Sequence, residues 1–368
     1  MVLNSAFTTL KTIHLKGLQE KKYFSKEEEL KWFNPIKNGK PQNILPTETN
    51  VVILILESFG NTYTGPYNSE SYSPFFDSIL EQSLYFENSI SNGSSSMDAL
   101  PAILASIPSW TNESFIISSY IGNKVNGLPY YLQKNGYQSA FFHGANNGSM
   151  RFDAFCKKIG FNHYYGKNEY GNQKHDDGMW GIPDHYFLNY TAKQITKLKA
   201  PFLASIFTIS SHHPYKIPKD YLKQVKKGPE EICSAINYSD FALKSFWREI
   251  KNKKWFHNTL FVFCADHTAP SKRKEFLSSK NKYAIPIAFY HPTIDLREIS
   301  QETQMQHLDI LPTILDLVNY KQKYYAFGSS IFDKNKTPKV AHSQGNFMIF
   351  DKTNKVKEWN ENKKKHPK

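Results

Sequence analysis

A chain of 368 residues, 40% hydrophobic and 15% aromatic, suits one large globular core with a small appendage, and its composition excludes an intrinsically disordered protein. No apolar run approaches the roughly 20 residues that a membrane-spanning helix needs. The opening MVLNSAFTTLKT shows no basic region followed by an apolar core, so no signal peptide is expected. The formal charge of +13 favours anionic partners. Seven lysines against two glutamates fall between Lys352 and Lys368, however, so much of that excess belongs to a solvated tail. No basic-aromatic recognition module accompanies it, and nucleic acid is not an expected partner. Cys156, Cys233 and Cys264 form no CxxC pair and leave the redox compartment open.

Residues 1–45 read as a preamble. Ala6 to Leu18 has mixed helical spacing, Ser25 with the acids after it resembles a capped helix start, and the stretch from Gly39 reads as a linker. Beyond it, apolar runs predict strands at 50–57, 138–142, 202–209, 259–264 and 285–290. Between and after them, helical patterns fall at 74–83, 96–106, 126–135, 182–199, 236–250 and 306–318. Short, continuously apolar strands separated by helices predict a sheet covered on both faces. In such sheets ligands sit beyond the carboxyl ends of the strands.

Polar groups stand at those ends. Glu57 follows VVILIL, His143 follows SAFF, Asp266-His267 follow LFVFCA, and LASIFTIS leads into Ser211-His212-His213. Glu57, Asp266 and His267 offer three of the four ligands that a Zn²⁺ or Mn²⁺ site takes. A serine hydroxyl could be the fourth, and coordination would make it a nucleophile. The turn Ser91-Asn-Gly-Ser-Ser-Ser96 opens a helix, and helix-start N–H groups favour phosphate. His143 and His212 could donate to phosphate oxygens or move a proton, and Arg151 could clamp an anion. Spacing does not separate His212 from His213. His307 reads as part of a helix.

The ordered set LESFG, NGSSSMDALPAILASIPS, FFHGANN, TISSHHPY, CADHTAPS, IPIAFYHP and QHLDILPTILDLV resembles the lipoteichoic acid synthase-like phosphoglycerol transferases, in the sulfatase branch of the alkaline phosphatase superfamily. The resemblance runs from about Asn50 to Phe332. It implies an α/β sandwich around a largely parallel sheet with helices on both faces and a small C-terminal β-rich part. The chain would then divide into a helical linker segment (1–45), a sulfatase-like catalytic domain (46–332), and a C-terminal β part with a basic tail (333–368). The resemblance also implies one divalent metal, Mn²⁺ before Mg²⁺ or Zn²⁺, held by Glu57, Asp266, His267 and the nucleophile. Alignment puts Ser96 at the nucleophile position, where relatives use threonine, with Ser95 as the alternative. His143, Arg151 and His212 would contact the substrate phosphate.

Thr268 replaces the glycine that often follows Asp-His in the family. A further downstream histidine has no counterpart here, and Lys272 or Arg273 could supply its charge. Ser96-Met97-Asp98-Ala99-Leu100 lacks the proline and arginine of a formylglycine signal, which argues against sulfate ester hydrolysis. The expected activity is transfer of phosphoglycerol or phosphoethanolamine from an anionic phospholipid to a glycan or lipid hydroxyl through a phospho-serine. Hydrolysis by the same site, or metal-free binding of an anionic glycan or lipid, are the other readings. Members usually carry N-terminal transmembrane helices, and none occurs in this sequence. The expectation is therefore a catalytic part, truncated or detached, acting at the extracytoplasmic face of a membrane surface.

Overall fold

Every residue from Asn50 to Leu56 is buried. Successive strand side chains point to opposite faces, so this strand lies in a sheet covered on both sides. The computed structural model describes residues 22–65, 68–300, 304–343, 345–351 and 355–360. In chain order the elements are α1 (Lys26–Trp32), β1 (Ile36–Asn38), β2 (Asn50–Leu56), α2 (Pro74–Leu80), β3 (Leu84–Phe86), α3 (Ser96–Ala105) and α4 (Leu128–Gln133). They continue through β4 (Gln138–His143), α5 (Phe152–Ile159), β5 (His163–Tyr165), α6 (Lys167–Tyr170), α7 (Asp184–Ile195), β6 (Phe202–Phe207), α8 (Glu231–Ile250) and β7 (Thr259–Ala265). The last are β8 (Ile287–Tyr290), α9 (His307–Leu317), β9 (Lys323–Tyr325), β10 (Lys339–Ser343), β11 (Asn346–Phe350) and β12 (Val356–Asn360).

The main sheet has seven strands in the order β3-β8-β7-β2-β6-β4-β5. β7, β2, β6, β4 and β5 run parallel, while β8 is antiparallel to both β7 and β3. Leu56 lies opposite Ala265 and His143 opposite Phe207. The chain therefore leaves β2, β7, β6 and β4 along one edge of the sheet. Each expected strand is present to within a few residues. α8 begins five residues earlier than the 236–250 expectation, because Ile232, Cys233 and Ala235 already continue its buried stripe. The three-residue strands β3 and β5 are too short to show a period.

The expected capped helix is α1. Ser25 accepts from Glu28 N–H, and Glu28 reaches back to the Ser25 N–H, closing a capping box. The helical reading of Ala6 to Leu18 and the tail 361–368 lie outside the described residues. β1 pairs with β9, and Lys40 N–H donates to Asp316 Oδ1 at 2.8 Å, so the segment after α1 is stitched to the main body. The C-terminal β part is the antiparallel sheet β10-β11-β12. Its first residue, Lys339, is buried and sits 2.6 Å from Asp309 Oδ2 on α9. Removing one partner of a buried ion pair leaves an uncompensated charge. Lys339→Ala should therefore lower the unfolding free energy by about 3 kcal/mol, read from denaturant midpoints.

Candidate active site

Three strand ends, of β2, β7 and β6, build the site. Leu56 and Ala265 are paired, so the residues after them, Glu57 and Asp266, emerge side by side, and Asp266 N–H donates to Leu56 O at 3.2 Å. After Glu57 the backbone turns through Ser58 at φ 60°. There Ser58 N–H reaches Asp266 Oδ1 at 2.8 Å and its hydroxyl reaches Glu57 Oε1 at 2.7 Å. On the β6 side, Thr208 Oγ1 accepts from Glu57 N–H at 2.9 Å, and the Ser211 hydroxyl donates to Glu57 O at 2.5 Å. The Glu57 backbone is thus held from the β6 side at both its N–H and its carbonyl.

Ser96 opens α3, where the partial positive charge of the helix start lies. Its Oγ is 2.7 Å from Asp266 Oδ2, 3.2 Å from Glu57 Oε2 and 3.5 Å from His267 Nε2. The Ser95 hydroxyl instead donates to Asp98 Oδ2 at 2.9 Å. The structure therefore brings Ser96, and not Ser95, to the carboxylates. The turn before α3 is compressed against the same acid. A Cβ on Gly93 would come within 2.5 Å of Asp98 Cβ, so only glycine fits there.

One ligand atom from each of Glu57, Asp266 and His267 lies within 4.8 Å of the others. Burial, and then the charge of Glu57, raises the Asp266 carboxyl well above the ordinary carboxylate range. Burial alone would strip the His267 proton, but Asp266 and then Glu57 outweigh it and raise that pKa. His267 Nε2 is 3.3 Å from Asp266 Oδ2 and 3.7 Å from Glu57 Oε1. Among the described residues no lysine or arginine pairs with either carboxylate. Two buried carboxylates, an imidazole and a hydroxyl converging without a fixed cation fit a divalent metal by donor chemistry.

The other expected residues are placed less centrally. His212 is half-buried in the loop after β6, with Nδ1 2.8 Å from His213 O, while His213 is exposed. Arg151 is exposed at the start of α5, in the left-handed region with φ 56°. His143 is fully buried among Phe141, Phe152 and Phe207. Burial pushes its pKa down to about 3, and its Nε2 has no partner. Arg273 pairs with Glu70 and Glu230 and lies outside the Glu57–Asp266–His267 cluster.

The sequence reading missed Ser58, Thr208 and Ser211, hydroxyls beside strand ends with no spacing of their own. It also left His307 without a role. This ring is fully buried, accepts from Asn92 N–H at Nδ1 (3.2 Å) and lies 2.8 Å from Ala265 O through Nε2. It therefore ties the turn that carries Ser96 to the strand that carries Asp266.

The architecture is that of the alkaline phosphatase superfamily. A protein of that superfamily from Vibrio parahaemolyticus matches with a TM-score of 0.72 at 21% identity, over 87% of this chain and 81% of that one. The lipoteichoic acid synthase LtaP from Listeria monocytogenes matches with a TM-score of 0.69 at 20% identity, over 84% of this chain and 86% of that one. Within that architecture, the sulfatase family model matches residues 49–320, and the chain belongs to the sulfatase family. Lipoteichoic acid synthase 1 of Bacillus subtilis (strain 168) is 27% identical over 326 residues, 81% of this chain and 50% of that protein. The chain thus spans about half the length of the curated relatives it matches.

Burial, partly offset by the bond to Ala265 O, lowers the His307 pKa to about 4, below the unfolded value of about 6.5. Between those values the unfolded chain binds more protons, so the neutral ring's contribution is complete above about pH 6.5 and is lost as pH falls through about 4. The span is worth about 3 kcal/mol. In chelator-treated protein, denaturant unfolding at pH 7.5 and pH 4.5 should show a smaller acid loss of stability for His307→Gln than for the parent.

Proposed function

We propose that this chain is a metal-dependent phosphotransferase. It moves a phosphoglycerol or phosphoethanolamine group from an anionic phospholipid to a glycan or lipid hydroxyl, through a covalent intermediate on Ser96. The observation that carries the reading is the position of Ser96 Oγ, at a helix start and against Asp266, Glu57 and His267 together. Ser95, not Ser96, is the N-cap residue of this helix, and its hydroxyl is engaged with the Asp98 carboxylate. The similarity to a lipoteichoic acid synthase supports the same class of donor and acceptor.

Glu57, Asp266, His267 and Ser96 are assigned as the holders of one divalent ion, Mn²⁺ first, with Mg²⁺ and Zn²⁺ compatible with the donor set. When bound, the ion supplies Lewis-acid charge at the Ser96 oxygen and the phosphoryl oxygens. The chain's own residues do the rest. As Ser96 Oγ attacks phosphorus, its proton passes by way of His212 to the diacylglycerol oxygen, whose bond to phosphorus breaks. An acceptor hydroxyl then attacks the phospho-serine, and its proton passes to His212 as the Ser96 Oγ–P bond breaks. Arg151 and His212 take the phosphoryl oxygens. His143 is assigned beside them on the strength of its unpartnered Nε2. This donor implies a working position at the extracytoplasmic face of a membrane. Among the described residues no helix is long and apolar enough to cross a membrane.

Head-group transfer from phosphatidylglycerol or phosphatidylethanolamine with added Mn²⁺ tests the reading. Ser96→Ala should lose at least about 10³-fold in kcat, and the parent should trap a phosphorylated Ser96 detectable by mass spectrometry. Full activity in Ser96→Ala would remove Ser96 as nucleophile. Binding to the folded form alone raises stability by mass action, about 2.7 kcal/mol at a hundred times Kd. Mn²⁺ should therefore raise the thermal midpoint of the parent and leave that of Asp266→Asn nearly unchanged.

A further inference from the structure

Trp180 lies in the 176–182 loop, far in sequence from every group assigned to the chemistry, yet its ring centroid is 4.0 Å from that of His212. Its indole N–H donates to His213 O at 2.8 Å. That carbonyl also lies 2.8 Å from His212 Nδ1. A carbonyl oxygen can only accept, so His212 carries its proton on Nδ1 when neutral, and Nε2 is left with the free lone pair. Among the described residues no protein group takes His212 Nε2.

The loop that presents Trp180 is built to hold it. Asp177 Oδ1 accepts from the N–H groups of Met179, Trp180 and Gly181 at 2.7, 2.8 and 3.0 Å. Ile182 N–H donates to Gly144 O at 2.9 Å, directly after β4. Gly181 has φ 147°, and a Cβ there would come within 2.2 Å of Gly144 O. Lys216 closes the other side by donating to Asp177 O. The His212 loop is equally constrained: Asp184 accepts from the N–H groups of Ile209 and Ser210, and Ser211 is bonded to Glu57 O. Both partners of the ring contact are fixed by backbone bonds, so their approach is part of the fold.

We infer that Trp180 is a positioning residue that fixes the ring plane and the Nδ1–H tautomer of His212, leaving Nε2 to face the substrate. This rests on the role assigned to His212 above. Nε2 would take the acceptor's proton in the second half-reaction and, once protonated, donate to a phosphoryl oxygen.

The test has two arms. In ¹⁵N-imidazole-labelled full chain, two-bond ¹H–¹⁵N spectra should assign His212 as the Nδ1–H tautomer in the parent. Trp180→Phe, which keeps a ring but loses the donor, should shift His212 towards a mixture of tautomers, as should Trp180→Ala. An Nε2–H tautomer in the parent, or no change in both variants, overturns the inference whatever the activity. In the transfer assay Trp180→Phe should lose roughly tenfold in kcat with KM within about twofold. Adding Trp180→Ala to His212→Ala should cost nothing further, whereas an additive loss would mean that Trp180 acts elsewhere. A parent with no transfer activity would sink the proposed function and leave the tautomer result standing.

Discussion

The whole active edge depends on placing two carboxylates, Glu57 and Asp266, side by side in a buried site. Parallel pairing of β2 with β7 imposes this, because Leu56 and Ala265 share a register and each is followed by an acid. Burial, and then the like charge of Glu57, raises the pKa of Asp266. The local backbone offsets part of it: Ser58 and His267 N–H groups both point at Asp266 Oδ1, at 2.8 and 2.7 Å. His267 gives a partial counter-charge. The arrangement is costly as a structural feature and becomes favourable once a divalent cation sits among its oxygen and nitrogen donors.

That balance explains why the surroundings are so heavily hydrogen-bonded. Asp98 engages the hydroxyls of Ser95 and, at 2.5 Å, Ser114, while the Ser96 hydroxyl reaches Asp266 and Glu57. Glu57 is held through its N–H by Thr208 and through its carbonyl by Ser211. The Thr268 hydroxyl donates to Lys282 O at 2.6 Å, anchoring the return of the following loop.

Much of this edge was legible in the sequence because long apolar runs leave little choice of structure. VVILIL and LFVFCA can only be central strands, and the polar residues directly after them must gather at one edge. Glu57, Asp266, His267 and Ser96 were accessible by that logic together with the family resemblance. Ser58, Thr208 and Ser211 were not, since a hydroxyl beside a strand end has no period and its role depends on which strand is the neighbour. His143 shows the opposite limit. A histidine closing a strand is visible in sequence, but its burial among Phe141, Phe152 and Phe207, with Nε2 lacking a partner among the described residues, is not.

Hydrogen bonds also tie the small C-terminal sheet to the turn that carries Ser96. Asn92, four residues before Ser96, donates from Nδ2 to Val340 O in β10 at 2.9 Å and from its backbone to His307. His307 in turn holds Ala265, the residue before Asp266. One amide and one imidazole thus connect the C-terminal sheet, the turn that carries Ser96 and the strand that leads into Asp266. The ion pair of Lys339 with Asp309 anchors that sheet to the helix that begins at His307. The small sheet is therefore a buttress of the active edge. A carboxylate pair that opposes its own burial needs support of this kind, because a looser frame would let Glu57 and Asp266 move apart into water.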